Sequence, residues 1–230
     1  MRYEQANTAL LIFLRNECEE ARIKTFHAHL RMQRRVQIVQ TLNRHAEQIT
    51  RQTGLPVFVV KGDQQIGDTF GERFANAFEQ VFAAGYEHVI AVGNDCLSLT
   101  KSRLLKAAEY FEAGSEVVLG PAKDGGAYIV GISRRVYRRS DFLTISWQTD
   151  GVLAALMSLA SHCTLLPVAC DFDDAATFQQ IVTQMVGRRQ IATVLYRLVF
   201  ENRLQPVVEI FLIGTKFSSA NALRAPPLAA

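Results

Sequence analysis

Strand-length apolar runs alternate with longer stretches of helical periodicity through the first half of this chain, and that alternation constrains the fold more than any other feature. The first run, Ala9-Leu10-Leu11-Ile12-Phe13-Leu14, has no polar alternation. A half-exposed strand would alternate, so this one is expected to be buried on both faces. A polar loop is expected over residues 15–25. A helix is expected over about 27–53, stopped by Gly54 and Pro56. Val57-Phe58-Val59-Val60 reads as a second buried strand. Thr69-Phe70-Gly71-Glu72 is a T-x-x-E capping box, and Phe70, Phe74, Ala77, Phe78, Val81 and Phe82 follow it at helical spacing up to Gly85. His88 to Val92 is the third strand. Thr100 caps a helix with Leu104, Leu105, Ala108 and Phe111 on one face, and strands are expected over 116–119 and 127–132. This order predicts an α/β fold, with a mostly parallel central sheet and helices on both faces.

Beyond Gly126 the pattern is less regular. Helices are expected over about 149–161, 174–186 and 190–202, and a strand over 163–168. Val207-Val208-Glu209-Ile210-Phe211-Leu212-Ile213 has strand composition after Pro206, and residues 216–230 form a small, polar, proline-bearing tail. The domain reading is therefore a main α/β body over 1–186 and an extension of helix, strand and tail over 187–230. An appended apolar strand could pair at a sheet edge, within the chain or across a homodimer.

With 230 residues the chain can bury a sizeable core, and its formal charge of +3 is too mild for a nucleic-acid binder. None of Cys18, Cys96, Cys163 and Cys170 forms a CxxC pair, which argues against a zinc ribbon or a thioredoxin motif. Reduced thiols are expected, in a cytoplasmic protein. The apolar run near the N-terminus is too short for a signal-peptide core with its flanks or for a membrane span. There is no P-loop, no G-x-G-x-x-G and no G-x-S-x-G elbow.

In open parallel sheets, ligands bind beyond the carboxyl ends of the strands. Four polar clusters fall there: Arg22-Ile23-Lys24-Thr25, Gly93-Asn94-Asp95, Lys123-Asp124-Gly125-Gly126 and Asp171-Phe172-Asp173-Asp174. Together they suggest metal-assisted handling of a phosphorylated ligand. A hard cation such as Mg2+ or Mn2+ takes carboxylate, phosphate and water oxygens. Asp95, with Asp171 or Asp173, would supply the carboxylates, and Arg22 and Lys24 would neutralise phosphate. Plainer readings stand beside these. Asp95 can be a turn former, Asp124-Gly125 a hairpin turn, the 171–174 acids a helix opening, and Arg22 and Lys24 a solvated face. Trp147 suits the core or a stacking surface, and Cys96 a buried thiol rather than a nucleophile.

At these clusters the sequence resembles bacterial proteins of the glycosyltransferase-A superfamily, relatives of the molybdenum-cofactor and phospholactate guanylyltransferases. The segments that carry the resemblance are ALLIFLR with RIKT, GDTFGERFANAF, VIAVGNDCLSLT, VVLGPAKDGGAYIVGI, ISWQTDGVL and DFDDAATF, spread over roughly residues 8–180. The resemblance implies a nucleotide-diphospho-sugar transferase-like fold and a magnesium-dependent nucleotidyl- or glycosyltransferase. Its partners would be a nucleotide or nucleotide-sugar and a small-molecule acceptor. It also implies that Asp95 and Asp173 hold the metal and that Lys24 and Arg22 hold the di- or triphosphate. Gln65, Gly67 and Asp68 would lie near the nucleotide, Gly125 and Gly126 would allow close backbone approach, and Asp124 would contact the acceptor or the metal's water shell. Relatives carry a proline-and-glycine loop where this chain has Asn16-Glu17-Cys18-Glu19-Glu20-Ala21, without glycine and with three acids. That departure favours a competing reading, a transferase fold kept as a binding or assembly module.

Overall fold

The computed structural model describes residues 7–201 except Asp173; the expected strand over 207–213 and the tail lie outside the described residues. Six strands form one sheet in the order β2-β1-β3-β5-β4-β6. They are β1 (Thr8–Leu14), β2 (Val57–Lys61), β3 (His88–Val92), β4 (Val117–Pro121), β5 (Ala127–Ser133) and β6 (Cys163–Leu165). β5 pairs antiparallel with both β3 and β4, and the other pairings are parallel. The sheet is thus mostly parallel, as the alternation predicts.

The pleat of β1 explains its unbroken apolar run. Leu10, Ile12 and Leu14 point into one core with Ile90 and Val92 of β3, while Ala9 and Leu11 point into the other with Val89 and Ala91. Each core is closed by helices. Helix α3 (Phe70–Ala83) covers one face together with α5 (Arg139–Thr144) and α6 (Val152–Met157), through Phe74, Phe78, Phe142 and Leu156. Helix α4 (Lys101–Glu112) covers the other through Leu104, Ala107 and Phe111, with Ile49 of α2 (Met32–Arg51) beside it. Helices α7 (Ala175–Met185) and α8 (Gln190–Phe200) follow β6. Arg34 of α2 donates to the Leu198 carbonyl at 3.0 Å, tying α8 to α2.

Three local expectations need correction. Part of the stretch expected to be a polar loop is helix α1 (Glu17–Ile23), because Asn16 caps it by accepting from the Cys18 amide at 2.9 Å, and acids in the first turn suit a helix N-terminus. The long helix begins at Met32 rather than near residue 27. The helix expected over 149–161 is shorter, since Trp147 to Gly151 is taken up by turns and α6 begins at Val152.

Candidate functional site

A cleft of about 850 Å³ opens beyond the carboxyl ends of the parallel strands, within the usual range for small-molecule sites. Its floor is Phe13, Leu14, Ala91 and Val92, the last residues of β1 and β3, with the start of β5 at Ala127 and Tyr128. Lys24, Gln65, Gly67, Asp95, Asp124 and Gly126 all line it, so six of the residues singled out by sequence meet in one place. Asp171 lines it as well, whereas Arg22, Asp68 and Gly125 do not. Asp173 lies outside the described residues.

The first wall is polar. Lys24 Nζ donates to Asp95 Oδ1, which joins the end of α1 to the turn after β3. The same ammonium lies 3.7 Å from Glu20 Oε1 and 3.5 Å from the Phe172 carbonyl, and 5.2 Å above the Phe172 ring. That ring is itself wedged against Phe178, as is Phe26, each with its centroid 4.9 Å away. The side chain of Lys24 is 16% exposed and that of Asp95 38%, so the carboxylate faces the cleft while the lysine is mostly covered. Behind them Asn94, 8% exposed, uses its amide group twice: Nδ2 donates to Glu20 Oε2 at 3.1 Å and to Asn43 Oδ1 at 2.6 Å. Burial pushes the Glu20 carboxyl above the usual carboxylate range and the Asp95 charge adds to this, while the Lys24 ammonium opposes it.

The opposite wall is aromatic. Phe70 and Phe74 of α3 and Trp147 line it, and the Trp147 ring lies 5.4 Å from Phe70 and 5.2 Å from Phe74, centroid to centroid. Trp147 Nε1 donates to the Phe142 carbonyl at 2.7 Å, which satisfies the one polar atom of the ring. Gly71 makes room for this ring, since a Cβ there would come within 3.0 Å of Trp147 Cδ1 and Nε1. Trp147 therefore serves the core and the cleft together.

The β4–β5 turn closes a third side. Asp124 Oδ1 accepts from the Gly126 amide at 3.0 Å, the turn-forming role, and the residue still faces the cleft. Gly125 has φ +89° and packs on the next loop so tightly that a Cβ would lie 2.4 Å from the Asp150 carbonyl oxygen. Its role is thus close packing of backbone on backbone, and the ligand-facing glycine of the pair is Gly126. Asp68 belongs to the entry of α3: its amide donates to Glu72 Oε2 at 2.8 Å and its carbonyl accepts from Arg73 at 2.9 Å. Gln65 Nε2 donates to the Leu14 carbonyl at 2.7 Å, pinning the turn after β2 to the end of β1. Asp174 caps α7 by accepting from the Ala176 and Thr177 amides, as the helix-opening reading of that acidic run has it. Cys96 is buried, and burial raises its thiol pKa, so the inert reading fits it.

Residues 22–149, more than half of the chain, match the family described as "Uncharacterized protein conserved in bacteria (DUF2064)". The chain belongs to this family. Among solved structures it is similar to the crystal structure of a "putative nucleotide-diphospho-sugar transferase" from Desulfovibrio desulfuricans G20. The TM-score is 0.73 at 18% identity, with 84% of this chain and 94% of that one covered. It is also similar, more distantly, to the Mycobacterium tuberculosis rv0371c homolog from mycobacterium sp. strain JC1. There the TM-score is 0.50 at 10% identity, with 80% of this chain and 100% of that one covered. No curated protein matches the chain. The fold of this DUF2064 member is nucleotide-diphospho-sugar transferase-like, of the glycosyltransferase-A type.

Sequence reasoning missed Arg15, Arg73 and Asp150, which also line the cleft of this DUF2064 member. Arg15 follows β1 directly, and a charged residue at the carboxyl end of a buried central strand was the signal available for it. Asp150 carried no such signal, because it reaches the cleft only through the packing of its loop on Gly125. Among the described residues no group of three or more His, Cys, Asp or Glu side chains converges in a way that could hold a metal ion, and no helix is long and apolar enough to cross a membrane.

Proposed function

We propose that this protein is a divalent-cation-dependent transferase acting on a nucleotide or nucleotide-sugar, moving either a nucleotidyl or a glycosyl group to a small-molecule acceptor. The observation that carries this reading is the Lys24–Asp95 pair, set between the ends of β1 and β3 in a cleft large enough for such a ligand. Asp95 is the carboxylate suited to the cation. Lys24 engages its Oδ1, while Oδ2 has no hydrogen-bond partner among the described residues. One or two carboxylates are what magnesium takes when substrate phosphates and water complete its shell, so a three-residue cluster, of which there is none among the described residues, is not required. Asp173 is the second ligand that the family resemblance implies. When bound, the cation would neutralise charge on the phosphoryl oxygens and align them. Lys24 would hold Asp95 in place, Trp147 and Phe70 would bound the ligand on the apolar side, and Asp124 would accept from acceptor hydroxyls.

Calorimetry with GTP, CTP and UDP-glucose in the presence of Mg2+ tests this. A binding signal for the native protein that disappears in Asp95→Ala is the expected result. Absence of any nucleotide or metal signal for the native protein overturns the reading. One observation favours a second reading, a transferase fold serving as a binding or assembly module: a capped helix, α1, stands where relatives carry a glycine-bearing phosphate loop. Silence toward every nucleotide, combined with a stable homodimer in solution, is the result that this alternative expects.

A further inference from the structure

The cations that line the cleft are not equally available to an anion. An ammonium has three protons to donate, and Lys24 is surrounded by two carboxylates and a carbonyl, from Asp95, Glu20 and Phe172. Arg73 turns its Nη1 to the carbonyls of Gly67 and Asp68, at 3.4 and 2.9 Å. Arg22 is exposed on α1, outside the cleft. Arg15 differs from all three. It is half-buried, it lines the cleft immediately after β1, and its guanidinium has no hydrogen-bond or ion-pair partner among the described residues. Acids are close at hand, since Glu19, Glu20, Asp95 and Asp124 line the same cleft, and the Arg15 charge acts on the Glu20 carboxyl through space, yet none of them forms a hydrogen bond or ion pair with its guanidinium. A partly desolvated charge is costly when no direct hydrogen bond or ion pair satisfies it. A guanidinium also presents its donors as a fork matched to two phosphate oxygens.

We propose that Arg15 is the residue that grips the phosphate oxygens of the cleft's ligand, and that Lys24 is a brace which fixes Asp95 rather than the principal phosphate contact. This rests on the transferase reading above. It also assigns the anion contact to a position that the family match, which begins at Arg22, does not reach.

The test is calorimetric titration of the full chain with pyrophosphate in Mg2+, comparing the native protein with Arg15→Gln, Arg15→Met and Arg22→Gln. Arg15→Met retains an apolar stem, so it carries the test if Arg15→Gln does not fold; thermal unfolding without ligand establishes which variants are folded. Both Arg15 variants are expected to weaken pyrophosphate binding by about tenfold or more, as loss of a charge-assisted contact does, while Arg22→Gln binds like the native protein. Native-like binding by a folded Arg15 variant overturns the assignment and leaves the transferase reading standing. A native protein that binds neither pyrophosphate nor any nucleotide overturns both.

Discussion

One wall of the cleft is made of rings and the other of buried polar groups, and the two hold their shape by different physics. Phe70, Phe74 and Trp147 pack on one another and, through Phe74 and Trp147, on Phe78 and Phe142, with centroid distances of 5.0 to 6.1 Å in tilted and edge-on arrangements. Such a wall is stabilised by the area it removes from water and by many weak contacts. The Glu20–Asn94–Asn43 network and the Lys24–Asp95 pair depend instead on a few directional bonds in a covered setting. The aromatic wall therefore fixes the shape of the cleft, and the polar wall fixes its charge. Losing a ring should cost fold stability in proportion to volume. Losing a polar group should cost what its stranded partners can no longer satisfy.

The largest effect is expected on the aromatic side. Phe74 is 6% exposed and touches five other aromatic rings, those of Phe13, Phe70, Phe78, Phe142 and Trp147. Phe74→Ala should lower the unfolding free energy by about 3–5 kcal/mol, read from urea denaturation. A loss under about 1 kcal/mol would mean that the rings repack freely and the wall is not a rigid surface.

Next comes acid, acting through the helix behind the polar wall. Burial pushes the His45 imidazole on α2 down from 6.5 to about 4, with the Arg189 charge adding to the shift. Its Nε2 is buried and has no hydrogen-bond partner among the described residues. A histidine whose folded pKa lies below its unfolded value is accepted by the fold in its neutral form. Its contribution is therefore complete above pH 6.5 and is lost as pH falls toward about 4, by up to about 3 kcal/mol. His45→Leu should flatten that part of the stability profile in urea melts across the window. An unchanged slope would remove His45 as the cause.

The smallest of the three effects falls on the network itself. Asn94→Leu strands both Glu20 and Asn43, whose Nδ2 is already buried without a partner among the described residues. A loss of about 1–3 kcal/mol is expected in the unfolding free energy. Were Asn94→Leu as stable as the native protein, the polar wall would be held by the Lys24–Asp95 pair alone.

The two walls were also unequally legible in the sequence. The aromatic wall follows from the Thr69–Glu72 box and the phenylalanine spacing, and both sides of that box form: Thr69 Oγ1 accepts from the Glu72 amide at 3.1 Å, and Glu72 Oε2 from the Thr69 amide at 2.9 Å. The sheet followed from its apolar runs, and β3 has the bounds that its sequence suggests. The polar wall was harder to read, because polarity in a sequence is ordinarily a sign of solvent. Glu20 sits in a stretch of acids that reads as a loop, and yet it is 4% exposed. What buries it is a partner 74 residues away, Asn94, together with the capped start of α1. Lys24 and Asp95 were both visible as charged residues after strands, but their pairing depends on strand order, which local patterns do not encode.

That strand order has a consequence for how the protein is made. β5 lies between β3 and β4, although it follows both in the chain. Until Ala127–Ser133 is in place, β3 and β4 have no strand to join them, and β3, already paired with β1 on its other side, carries a bare edge open to pairing with other chains. Pairing of that one segment brings β4 onto the sheet of β2, β1 and β3, and the cleft floor, which spans β1, β3 and β5, comes into being at the same step.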